Sequence, residues 1–167
     1  MPFANDLLEQ AKHLANRERK RPRQASLRRA VSTAYYALFH LLIQEATHNW
    51  RRAEHRPLLA RFFEHGKMKA ASERQRGDCT RYLNAKPPPP SGQLLNCMKH
   101  LLSIADAFVQ AQQQRHTADY DNSAYWTKTE VLALIAIVEG AFQSWATIRN
   151  ESMAQDYLFS LLGTPKG

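Results

Sequence analysis

Residues 26–40, SLRRAVSTAYYALFH, decide how this chain folds. Leu27, Val31, Ala34, Leu38 and Leu41 recur at steps of four, three, four and three, the spacing of one apolar stripe on an α-helix. Arg29, Ser32, Tyr36 and His40 recur at three, four and four, and line a second face that is polar and aromatic. Such a helix packs a core on one side and offers a binding or chemical surface on the other.

The flanking sequence keeps the helical period. Apolar residues Leu7, Ala11, Leu14 and Ala15, with Leu8 beside them, predict a first helix over residues 4–18, stopped by Pro22, which lacks an N–H. The second helix is expected over residues 24–50. Pro57 suits a first helical turn, and Leu58, Leu59, Phe62 and Phe63 predict a short amphipathic helix that ends near Gly66. Residues 67–76 read either as another short helix or as a mobile loop. Pro87 to Pro90 form a stiff polyproline connector rather than a domain boundary, since neither half alone carries enough apolar sequence.

Ser91 is the expected N-cap of a helix over residues 92–117, with a stripe of Leu94, Met98, Leu101, Ala105 and Phe108. Residues 117–122, rich in Asp, Asn and Tyr, read as a turn. Thr127 and Glu130 have capping-box spacing and open a helix to about residue 150, with Leu134, Val138, Ala141, Phe142, Trp145 and Ile148 on its apolar face. A last helix over residues 153–162 is expected to stop at Gly163 and Pro165. With β-branched runs nearly missing, the fold class is all-α: an up-and-down bundle of four to five main helices, in one domain over residues 1–167.

The composition, 44% hydrophobic and 23% charged over 167 residues, is that of a soluble globular chain and excludes a disordered one. The net charge is +8, which favours acidic partners: RNA, DNA, nucleotides or an acidic protein. Seven Lys/Arg and one Glu fall between Arg17 and Arg29. Arg19, Lys20, Arg21, Arg23, Arg28 and Arg29 are therefore the candidate nucleic-acid-binding residues, against the plainer reading of a solvated connection. Cys79 and Cys97 have no metal-ligand spacing and are expected to be reduced thiols; no metal and no cofactor is called for. The opening MPFANDLLEQ lacks the pattern of a signal peptide, and residues 131–138, the most apolar run, are too short to span a bilayer. A cytoplasmic protein without a membrane association is the expectation.

Two segments carry a resemblance. Residues 28–40, RRAVSTAYYALFH, and residues 115–121, RHTADYD, together resemble the HEPN family, whose prokaryotic members often pair an Arg…Ala-Tyr-Tyr-Ala-x-Phe helix with a later Arg-x-x-Ala-Asp-Tyr segment. His55, followed by Phe62-Phe63 and Gly66-Lys67-Met68, is similar to the His and aromatic helix that lie between them in the family. The resemblance spans about residues 24–150. It implies a helical bundle, commonly a homodimer, and in many members a metal-independent endoribonuclease, including toxins neutralised by a nucleotidyltransferase-like antitoxin. RNA or a nucleotide is the ligand it implies.

In that chemistry an Arg neutralises charge at the scissile phosphate while a His moves the 2′-hydroxyl or leaving-group proton. The family places this His four to six residues beyond the one that follows Arg; here Arg115-His116 is followed by Tyr120, Asp121 and Asn122 at those places. The candidate catalytic residues are Arg115, His116, Tyr120 and Asp121, with His116 able to take the proton-transfer part because its ordinary pKa lies near neutrality. The other reading makes Arg115, Asp119 and Asp121 a helix-end ion pair that sets a turn, with Tyr35 and Tyr36 packed beside it. On that reading the chain is a non-catalytic helical module for nucleotide binding or protein interaction. A helix-turn-helix DNA reader is the most remote, for want of a short Gly-containing turn between compact helices.

Overall fold

The computed structural model describes residues 2–164, which fold into seven α-helices with no strand among them. In chain order these are α1 (Pro2–Asn16), α2 (Gln24–His48), α3 (Arg56–Ala60, entered through a 3-10 turn at Ala53–His55), α4 (His65–Leu83), α5 (Gln93–Tyr120), α6 (Lys128–Ile148) and α7 (Ser152–Ser160). The all-α bundle expected from the periodicity is what forms. Pro165 lies outside the described residues.

Helix α2 is the axis of the bundle: it packs against α1, α5, α6, α3 and α7. Leu27, Val31, Ala34 and Leu38 of its stripe are fully buried, but so are Ala30, Tyr35, Ala37 and Leu42, so the helix is enclosed around most of its circumference. Burying Leu-sized side chains stabilises the fold by about 1.5–3 kcal/mol each. On α1 the buried residues are Ala4, Leu8, Ala11 and Ala15, while Leu7 and Leu14 only border the core. A stripe of three alanines lets α1 lie close on α2.

Expected boundaries move at α4 and at both ends of α5. Gly66 does not end a helix; it lies in the first turn of α4, and the doubtful residues 67–76 are the interior of that 19-residue helix. Only Met68, Ala71, Ser72 and Cys79 of α4 are buried, which explains its faint periodicity. Packing on α5, and a bond of 2.8 Å between the hydroxyls of Ser72 and Tyr157 on α7, hold it in place. The other shifts are at α5. Gly92, not Ser91, occupies its cap position, with φ of 153°, where a side chain would be strained. Its far end runs on through Thr117 to Tyr120, so most of the expected turn is helix.

The Thr127 capping box forms as expected: Thr127 Oγ1 accepts from the Glu130 N–H at 3.2 Å and the Glu130 carboxylate accepts from the Thr127 N–H at 2.9 Å. The prolines at 87–90 join α4 to α5, with a cis peptide at Lys86–Pro87. Helix α6 is long and apolar enough, as a whole, to cross a membrane, which the short run at 131–138 did not suggest. In this fold Val131, Leu134, Val138, Ala141, Trp145 and Ile148 of α6 are buried in the same core as α2 and α5.

Candidate functional site

The extra turn of α5 puts Arg115 and Asp119 four residues apart on one helix face, directed at α2. Arg115 is 9% exposed. Its guanidinium carbon lies 5.2 Å from the Tyr35 ring centroid and 5.6 Å from that of Tyr36. The Arg115 Nε is 3.8 Å from an Asp119 carboxylate oxygen, and this buried nitrogen has no hydrogen-bond partner among the described residues. The other Asp119 oxygen accepts from the Ser32 hydroxyl of α2. Cation–π contact and a loose ion pair therefore hold this guanidinium, where hydrogen bonds usually would; desolvated contacts of this kind are worth about 2 kcal/mol.

The aromatic layer continues to α4. The Tyr35 hydroxyl and the His65 Nδ1 are 2.6 Å apart, and the His65 ring stacks on Phe39 with centroids at 4.3 Å. His40 lies edge-on to Phe3 of α1 and beside Tyr36. Burial pushes the Tyr35 hydroxyl pKa well above its ordinary value, against a smaller opposite pull from Arg115. Burial, then the charge of Arg115, then His40, push His65 below its ordinary value of 6.5; burial alone lowers His40. His65 is thus a neutral imidazole at pH 7, bonded through Nδ1 to a neutral phenol.

The four candidate catalytic residues do not share this place. His116 follows Arg115 by one residue, a rotation of about 100°, and faces outward. Its ring lies tilted against that of Tyr120 with centroids at 5.0 Å, and Tyr120 is 68% exposed. Asp121 is exposed and shapes the turn after α5: its carboxylate accepts from the N–H of Ser123 at 2.9 Å and from its hydroxyl at 2.6 Å, and these bonds hold its pKa below the ordinary range. Arg115 is inside the bundle, and His116, Tyr120 and Asp121 are outside it.

The basic set divides too. Arg19, Lys20, Arg21 and Arg23 are exposed in the α1–α2 connection, and Arg29 is exposed on α2. None of the five makes an ion pair among the described residues. Glu18, the one acid in the run, faces inward to accept from the Ser26 hydroxyl at 3.0 Å and the Arg23 N–H at 3.4 Å. Arg28 departs from the expectation. Its guanidinium donates to the carbonyl oxygens of Ala118 at 2.8 Å, Asp121 at 2.9 Å and Ala124 at 2.5 Å. The last carbonyls of a helix have no partner within it, and Arg28 closes the end of α5 by supplying one. It is a clamp on the turn rather than a free ligand for phosphate.

Sequence reasoning missed His65. The family-like histidine was sought at His55, which is exposed in the 3-10 turn. His65, directly after Phe63-Glu64, is the histidine that joins the aromatic layer; the adjacent Phe62-Phe63 pair was the available signal. Among the described residues no group of three or more His, Cys, Asp or Glu is placed to hold a metal ion. Cys79 and Cys97 are buried free thiols, both shifted upward in pKa by burial.

The chain matches no protein-family model, no curated protein and no solved structure. What it does must be read from this geometry.

Proposed function

We propose that this chain is an HEPN-like helical module that binds RNA through Arg19, Lys20, Arg21, Arg23 and Arg29 and does not cut it. The observation that carries the reading is the division of its cations. The connection arginines are exposed and unpaired among the described residues, free to displace counterions from a phosphate backbone. Arg115 is enclosed by Tyr35, Tyr36 and Asp119. Phosphodiester cleavage needs the arginine and the proton-transfer group at one phosphate. Arg115 faces into the bundle and His116, about 100° further round α5, faces out of it, and Asp119 repels the charge that Arg115 would have to bind.

Labelled single-stranded RNA in fluorescence anisotropy, at two salt concentrations, tests the binding. The same RNA incubated with the protein in EDTA tests the absence of cleavage. Salt-sensitive binding with intact RNA is expected; loss of binding at low salt would sink the proposal.

One observation favours a second reading, a metal-independent endoribonuclease acting as a homodimer, in the manner of a toxin held by a nucleotidyltransferase-like antitoxin. Arg115 and neutral His65 both contact Tyr35, which gives one subunit an arginine and a proton acceptor in the same layer. Cleavage in EDTA that disappears in His65→Ala but persists in His116→Ala would establish that reading against the first.

A further inference from the structure

At the end of the bundle where α2 finishes, the chain leaves apolar surface uncovered. Trp50 is 51% exposed, Leu58 59%, Phe62 61% and Phe159 75%. Trp50, Leu59, Phe63, Phe159 and Leu162 line a groove of about 210 Å³ between the end of α2, α3 and α7. Asn49 and Gln155, bonded to each other at 2.5 Å, are the polar side chains at its wall. A monomeric surface rarely leaves several large apolar side chains together in the open, and such patches mark binding faces.

The rim is basic. Arg51, Arg52 and Arg61 are exposed, and Arg56 is held against the groove by donating its Nε to the Trp50 carbonyl at 3.0 Å. Arg52 pairs with Glu54 at 3.6 Å, and the nearby Glu64 is taken by Lys67 at 2.6 Å. Arg51, Arg56 and Arg61 have no ion pair among the described residues. Asp156, one step round α7 from the groove lining, is exposed and has no ion pair among the described residues.

We infer that this groove docks an acidic amphipathic helix of a partner protein, one large apolar side chain entering beside Trp50 while its carboxylates meet Arg51, Arg56 and Arg61. Three features select this occupant. The pocket is a concave groove lined by Leu59, Leu158 and Leu162 as well as by Trp50, Phe63 and Phe159, which suits a Leu or Phe anchor of a helix laid in a groove. The apolar centre with a charged rim is the anatomy of a protein interface, and the rim's sign sets that of the partner. A second copy of this chain would bring the same arginine rim against itself across a two-fold axis.

Trp50 reports on the site, because Trp126 and Trp145 are 8% and 2% exposed. The probe is a helical 18-residue peptide with Leu, Phe and Leu at i, i+4 and i+7 and glutamates on its other face. Added to the full chain, it should shift Trp50 emission to the blue and protect it from acrylamide. Phe159→Glu, an exposed position whose change leaves the core intact, should weaken it at least tenfold, as should lysines in place of the peptide's glutamates. Absence of a Trp50 response to the acidic peptide, or equal binding of both peptides, overturns the inference. So does any of three other outcomes: a single-stranded RNA or an anionic lipid vesicle that protects Trp50 better than the peptide, or a dimer in sedimentation that Phe159→Glu dissociates. RNA binding through Arg19–Arg23 is read by anisotropy and is untouched by Phe159→Glu, so the two proposals fail separately.

Discussion

The exposed cations of the α1–α2 connection make a quantitative demand on RNA binding. Five of them, Arg19, Lys20, Arg21, Arg23 and Arg29, stand in solvent without an ion pair among the described residues. For single strands, log K falls with log salt by about 0.7 per phosphate neutralised, so five contacts give a slope of about −3.5. Raising salt from about 50 to about 200 mM, a fourfold change, should then weaken binding by roughly 100-fold. The triple variant Arg19→Ala, Lys20→Ala, Arg21→Ala leaves two contacts, a slope of about −1.4, and a loss of only about sevenfold over the same range. Arg28→Ala is the internal control. Its guanidinium is committed to the carbonyls of residues 118–124, so the slope should stay near that of the parent. Freeing those acceptors should instead cost about 1–3 kcal/mol of stability. Anisotropy titrations across four salt concentrations, with thermal unfolding of each variant, measure both. A triple variant with the parental slope, or an Arg28→Ala that reduces the slope by about 0.7 and unfolds normally, would refute the assignment of these cations.

Other consequences concern the aromatic layer and the helix ends. Arg115→Met should leave Asp119 without its cation and lower stability by about 2–4 kcal/mol, with Arg115→Lys in between because an ammonium lacks the flat face that lies over Tyr35 and Tyr36; urea midpoints test this. The pKa of His65 is depressed in the fold, so the unfolded chain binds the proton more readily. Its stabilising contribution is therefore complete above the ordinary value of 6.5 and is lost as pH falls below it toward the folded value. The urea midpoint should drop from pH 7.5 to pH 5.5, and His65→Gln should flatten the drop, His40 supplying what remains in the same direction. Thr127→Ala removes the capping box of α6 and should cost about 1 kcal/mol, or about 2–4 °C in melting temperature for a chain of this size.

Much of this fold could be read from the residues because α2, α5 and α6 bury stripes long enough to show a period. Leu134, Val138, Ala141 and Trp145 were assigned inward and are inward. Residues 67–76 read as either a short helix or a loop because a helix with four buried residues in nineteen has almost no stripe, and tertiary packing rather than amphipathicity holds it. The expected α5 stopped short because Asp119, Tyr120 and Asp121 favour turns locally, whereas Arg28, ninety residues earlier, supplies donors that let the helix run on. The packing of Tyr35 and Tyr36 beside the Arg115 segment, expected on the reading of that segment as a helix-end ion pair, is observed. His65 was not expected there, since the Phe62-Phe63 pair beside it marks an aromatic segment but not which of seven histidines will meet a buried tyrosine.

A net charge of +8 says that a polyanion would be attracted, but it does not say which cations would touch it. Burial makes that distinction. An arginine whose nitrogens already face carbonyls, as Arg28 does, or whose plane lies over two phenol rings, as Arg115 does, must break those contacts before it can reach a phosphate. Those contacts are worth about as much as the new ones it would form. The arginines of the connection have nothing to break, since the only carboxylate among them is turned toward Ser26. Charge drawn inward therefore fixes the α2–α5 pairing, and charge left outside is free to bind.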